Sequence, residues 1–242
     1  MKKCCISLGI NSPIPSYSPQ PISQDFSLGL KRIAEDLKST GFSGDFIAWD
    51  QCYPTNSPKQ SEAHGAFKPF CFYDAYLRGY DLILWLDASI KVISPLDPVF
   101  DLIERDGYLI FKEDHSLGEY CKDDAIKPLG LDREKSFEMP CCWSCVLGLN
   151  LKNPTSKKFL DDWVKSAADG VTFPGPKWSG IFGWPRTASG DPRVKGHRHD
   201  QTAASAIALK YEMSKWKNKL FFSFFFRNDR DFVRSYQEEF IV

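Results

Sequence analysis

"GYDLILWLDASIKVI", residues 79–93, is the stretch on which the fold turns. Its centre, Leu82 to Leu86, is an unbroken apolar run, the pattern of a strand covered on both faces, and it stops at Asp87. A carboxylate where a core strand meets a loop needs a partner, because a buried charge left alone is costly or gives up its ionisation. A metal, a basic side chain or a set of backbone N–H groups would serve. The plain alternative is an aspartate capping the next turn through Ser89 or a backbone N–H.

Working outward, strand-like and helix-like segments alternate. Cys4 to Ile10 reads as a first strand. "SLGLKRIAEDLKSTG" puts Leu28, Ile33, Ala34 and Leu37 on one helical face and stops at Gly41. "DFIAWD" is a second strand, "HGAFKPFCFYDAYLRGY" a helix with an aromatic inner face, and "SPLDPVFDLIERDG" a short helix opened by proline. "YLIFK" is the next strand, "DDAIKPLGL" a short helix, "CWSCVLGLN" a strand and "PTSKKFLDDWVKSAA" an amphipathic helix with proline near its start. A Gly/Pro/Trp-rich loop between Gly170 and Gly196 leads to a helix in "HDQTAASAIALKYEM" and a terminal strand in "KLFFSFFF". Such alternation predicts an α/β sheet, parallel in at least its first half. No repeat or low-complexity linker divides the chain, so one domain over 1–242 is expected. A loop of that length in a compact domain usually binds or covers something.

Composition narrows the function. The 242 residues carry 31 Lys+Arg against 31 Asp+Glu, and neither a basic excess nor a basic stripe marks a nucleic-acid binder. A charged ligand must therefore be met by a local site. The opening "MKKCCISLGINSPIPS" breaks too soon for a signal peptide or membrane span, which points to a cytoplasmic protein whose eight cysteines stay reduced. "CCWSC" (Cys141, Cys142, Cys145) has a C-x-x-C spacing but no second pair, so small apolar side chains are preferred there to a zinc site.

A second polar cluster, "GHRHDQTAA" at 196–204, sets His197, His199, Asp200 and Gln201 directly before a helix. Asp200 can be a simple N-cap beside solvated histidines; the same geometry also suits an anionic ligand with its metal.

Taken together, "LWLDAS", the mid-chain "GLNL…FLDDW" and the late "HRHDQ" before a helix resemble glycosyltransferases of the GT-A fold. The resemblance implies a single Rossmann-like α/β domain with a mostly parallel central sheet, residues 1–112 serving the nucleotide and 113–242 the acceptor. It implies transfer of a sugar from a nucleotide diphosphate donor to a glycan or other hydroxyl acceptor. In that family an Asp-x-Asp motif binds a divalent cation, Mn²⁺ or Mg²⁺, with the diphosphate. Asp87 matches the first acid and Ser89 the second, with Ala88 between them. A hydroxyl is a poorer hard-cation ligand than a carboxylate. The metal set implied is thus Asp87 with His197 or His199, or else the donor is bound with weak metal dependence. Asp200 and Gln201 match an Asp-Gln pair near the donor sugar. Ser7 and Gly9, at the end of the first strand, fall where base and ribose are held. Lys68 falls where a basic residue faces the donor, although a surface lysine is an equal reading. Tyr73 and Asp74 lie a turn further on and could touch base or sugar, with core packing the stronger reading of Tyr73.

Acceptor contacts are expected from Trp143, Trp178 and Trp184, with core packing the stronger reading of Trp143. Glu113, Asp114 and His115 follow the fourth strand, and Asp114 is the candidate base for the acceptor hydroxyl, against a solvated loop end. "KLFFSFFFRNDRDF" suits peripheral membrane contact, but reads better as a buried strand. Two alternatives remain: a non-catalytic sugar-nucleotide-binding relic, marked by Ser89, and a sugar-nucleotide nucleotidyltransferase, whose glycine-rich phosphate loop "SLGINSPIPS" does not provide.

Overall fold

The structure is a computed structural model; it describes residues 1–10, 26–176, 188–213 and 221–227. In chain order its elements are β1 (Lys3–Leu8), α1 (Phe26–Ser39), β2 (Asp45–Trp49), α2 (Phe67–Leu77), β3 (Leu82–Leu86), β4 (Ile90–Val92) and α3 (Asp97–Asp106). Then come β5 (Tyr108–Ser116), a 3₁₀ turn (Gly118–Tyr120), α4 (Asp123–Ile126), α5 (Arg133–Ser136), β6 (Pro140–Asn150), α6 (Pro154–Ala168), α7 (Asp200–Lys210), α8 (Phe221–Phe224) and β7 (Phe225–Arg227).

The central sheet has the order β2-β1-β3-β6-β5. β1 pairs in parallel with β2 and β3, while β6 runs antiparallel to both β3 and β5. Four of the five strands therefore point the same way, as the alternating pattern predicts. β3 lies in the middle. Ile83 and Trp85 pack on one face with α2, α6 and α7; Leu82, Leu84 and Leu86 pack on the other with α1 and α3. Burial on both faces is why the run carries no polar alternation.

Three local expectations are corrected. The buried stripe of α1 is Leu30, Ile33 and Leu37, and Ala34 is exposed. "KLFFSFFF" is not one buried strand. Phe221–Phe224 form a helical turn with Phe222 exposed, and Phe225–Arg227 pair antiparallel with β4 in a separate two-stranded sheet. The exposed Tyr73 and the Arg78-paired Asp74 lie away from the pocket described below. No helix among the described residues is long and apolar enough to cross a membrane.

Candidate functional site

Residue parity aims Asp87. Side chains alternate along a strand, so Asp87 follows Ile83 and Trp85 onto the face covered by α2 and α7. Its N–H donates to the Cys145 carbonyl (2.8 Å), continuing the β3–β6 ladder one step beyond Leu86. From the opposite face α1 braces the turn: Arg32 Nη2 donates to the carbonyls of Ala88 and Ile90 (both 2.8 Å), and Asp36 accepts the Val92 N–H.

The partner of Asp87 is Lys68, in the first turn of α2. Lys68 Nζ lies 2.8 Å from Asp87 Oδ1 and 2.7 Å from Asp200 Oδ2, and donates to the Ser144 carbonyl at 3.1 Å. It also sits 5.4 Å from the Trp85 ring centroid, and Trp85 Nε1–H donates to the same Asp87 oxygen (2.6 Å). Burial alone pulls the ammonium towards neutrality; Asp200 and Asp87 outweigh it, so Lys68 is held above its ordinary pKa and stays charged. Lys68 is therefore a buried cation binding two acids together. Asp200 is the first residue of α7 and its carboxylate is given to Lys68; the His199 side chain makes no capping bond.

These groups line a cavity of about 350 Å³ beyond the carboxyl end of β3, bordered also by Leu8 at the end of β1 and by Ile10 just after it. That is where open α/β sheets receive ligands, and the size suits a small molecule. Ala88, Ser89, Trp143, His199, Asp200 and Gln201 all line it. Glu113, His64 and Arg198 line it too. Trp143 is only partly buried, its ring meeting Phe221 edge-on. Asp114 is exposed and faces away, because alternation along β5 turns Glu113 inward instead. Ser7 is fully buried, and neither it nor Gly9 reaches the cavity wall; Gly9 is packed under Phe26 and Leu30. Trp178 and Trp184 lie outside the described residues.

The histidines divide. His197 is sealed in the core: Nε2–H donates to the Thr172 carbonyl (2.8 Å) and Nδ1 accepts the Lys122 N–H (3.4 Å). Burial pushes its pKa down to about 4. His199 donates Nδ1–H to the Phe173 carbonyl (2.8 Å) and stacks on His64 with ring centroids 5.0 Å apart. Its backbone has φ 46 and ψ −108, a costly conformation for a residue with a side chain, of the kind that clusters at functional sites. His64 is fixed by Gln60. The Gly65 N–H donates to Gln60 Oε1, which turns the Gln60 amide nitrogen towards His64 Nδ1 (2.6 Å). Nothing in the sequence around His64 marked it.

This donor set does not fit Mn²⁺ or Mg²⁺. The two acids are occupied by one ammonium, both nitrogens of His197 are spent on backbone groups, and Ser89 brings no charge. Among the described residues no three His, Cys, Asp or Glu side chains are grouped to hold a metal ion, the Cys141–Cys145 segment included. The eight cysteines are free thiols.

No protein-family model matches the chain, and no curated protein matches its sequence. Among solved structures it is similar to a glycosyltransferase involved in the glycosylation of the major capsid of PBCV-1, at 14% identity and a TM-score of 0.36, covering 66% of either chain. The galactosyltransferase LgtC, solved with donor and acceptor sugar analogues, gives 14% identity and a TM-score of 0.37 over 70% of this chain and 66% of that one. Mouse xyloside xylosyltransferase 1 gives 11% identity and a TM-score of 0.43 over 90% and 85%. The chain thus spans just under two thirds of the first two. These neighbours are glycosyltransferases.

Proposed function

We propose that this pocket binds a nucleotide diphosphate sugar and passes the sugar to the hydroxyl of a glycan or glycoconjugate. The observation that carries the reading is the convergence of Asp87, from a strand end, and Asp200, from a helix start, on one cavity at the carboxyl edge of the parallel strands. In the reaction the acceptor oxygen bonds to the anomeric carbon, the bond from that carbon to the diphosphate breaks, and the nucleoside diphosphate leaves with the electron pair. The acceptor proton goes to a base. Glu113 is the inward-facing acid on the β5 side and takes the role expected of Asp114. Arg198 and the N-terminal end of α7 meet the negative charge growing on the diphosphate. Gln201 lines the wall beside Asp200 and hydrogen-bonds Cys141 Sγ, which holds its amide in place. The half-buried indole of Trp143 offers an apolar face to a sugar ring.

The test is a panel of nucleotide sugars, scored by thermal shift and by release of nucleoside diphosphate with and without simple glycoside acceptors. At least one donor should raise the melting temperature and be turned over, and Glu113→Gln should lower turnover while keeping donor binding. No response to any donor sinks the reading. Donor binding without turnover across all acceptors favours a sugar-nucleotide-binding protein instead.

A further inference from the structure

We propose that the Lys68 ammonium is the resident cation of this pocket, and that by standing between Asp87 and Asp200 it keeps divalent metal ions out of that pair. The proposal deepens the donor-site reading by naming what neutralises its acids. It rests on the geometry of three side chains from three separate elements. Asp87 comes from the end of β3, Asp200 from the start of α7 and Lys68 from the first turn of α2.

A metal ion shared by both carboxylates would have to lie between them, and that place is taken. Lys68 Nζ is in direct contact with an oxygen of each acid, with the Ser144 carbonyl as the third acceptor for its three N–H groups. A divalent ion added beside it would meet a like charge in contact with its own ligands. Nor is the lysine a long side chain that has strayed in from the surface. It is 6% exposed, leaves α2 in its first turn and lies against the face of Trp85, whose indole N–H is committed to Asp87. Swinging it out would leave two acids facing each other, one of them almost buried. Ser89 is consistent with this arrangement: an ammonium needs no second carboxylate at that position. With Arg198 on the same wall, two single positive charges stand where a metal site would bring one double charge.

The experiment is a titration with Mn²⁺ alone, read by electron paramagnetic resonance of the free ion and by thermal unfolding with and without EDTA. It covers the wild type, Lys68→Ala, Asp87→Asn and the Lys68→Ala/Asp87→Asn double variant. The wild type should show no Mn²⁺ site that depends on Asp87, and EDTA should leave its melting temperature unchanged. Lys68→Ala, with the acids uncovered, should bind Mn²⁺ roughly tenfold or more tighter than wild type and be stabilised by it. The double variant should lose that gain. A wild-type Mn²⁺ site abolished by Asp87→Asn overturns the proposal, and this arm decides the matter even if Lys68→Ala fails to fold. A folded Lys68→Ala protein that gains no Mn²⁺ also overturns it. No donor is present in the assay, so a failure of the donor reading shows separately, as silence in the nucleotide-sugar panel.

Discussion

Gly65 lies directly beneath Asp200: a β-carbon on Gly65 would sit 2.6 Å from Asp200 Cγ, and the Gly65 backbone has φ +70. The turn before α2 is thus shaped so that the first residue of α7 can come down onto Lys68. Both the close approach and the left-handed backbone call for glycine. Gly65→Ala should cost roughly 1–3 kcal/mol of stability, measured by chemical denaturation. The cost should shrink in an Asp200→Gly background, which removes the β-carbon 2.8 Å from that position as well as the carboxyl group. Equal costs in both backgrounds would show that only the backbone angle matters there.

Arg32 braces the loop that carries Asp87 from the far side of the sheet. One of its nitrogens donates to the carbonyls of both Ala88 and Ile90. Arg32→Met should destabilise the protein by about 2 kcal/mol, the scale of a charged hydrogen bond lost at a partly buried site. It should also weaken binding of any nucleotide sugar found by the thermal-shift panel, although Arg32 does not line the cavity. Unchanged stability would mean that the turn holds its shape without help.

His197 should make the fold acid-sensitive. In the folded state its pKa is pushed down to about 4 from an ordinary 6.5, chiefly by burial, and Nδ1 must stay unprotonated to accept the Lys122 N–H. As pH falls below 6.5 the unfolded chain takes up a proton that the folded chain refuses, so the contribution of His197 to stability drops until pH reaches about 4 and levels off below it. The loss across that window is up to about 3 kcal/mol. Urea unfolding at a series of pH values should show a shallower fall for His197→Gln than for wild type. Parallel curves would remove the assignment.

Thiol labelling tests the packing cheaply. Seven of the eight cysteines are buried, and Cys52 alone is exposed. Burial also pushes the thiols of Cys4, Cys5, Cys71, Cys121, Cys141 and Cys142 away from the reactive thiolate. Mass spectrometry of native protein treated with iodoacetamide should show a first adduct on Cys52, with the others following only on denaturation. Early modification of Cys141 or Cys142 would contradict the packing of β6 against α7.

The strands, the main helices and the strand-end acid were legible in the sequence because each is written locally. An apolar run such as Leu82–Leu86 states its own burial, and the proline and amphipathic spacing of 154–168 mark α6, which forms over Pro154–Ala168. "KLFFSFFF" misled because a phenylalanine run does not say where the chain bends. Only pairing with β4 separates the helical turn from the short strand. Asp114 misled for a related reason. β5 runs on past Lys112, with register shifts between Ile110 and Phe111 and between Lys112 and Ser116, and the acid that faces inward is Glu113. The sequence by itself determined that Asp87 ends a buried strand and needs a partner, whether a metal, a basic side chain or backbone N–H groups. Which partner answers it was decided by tertiary structure alone. Lys68 stands nineteen positions before Asp87 and Asp200 more than a hundred after it, and no periodicity links them. They meet because strand parity turns Asp87 towards the face that α2 and α7 share, and in that buried space a carboxylate takes the nearest cation that the packing provides.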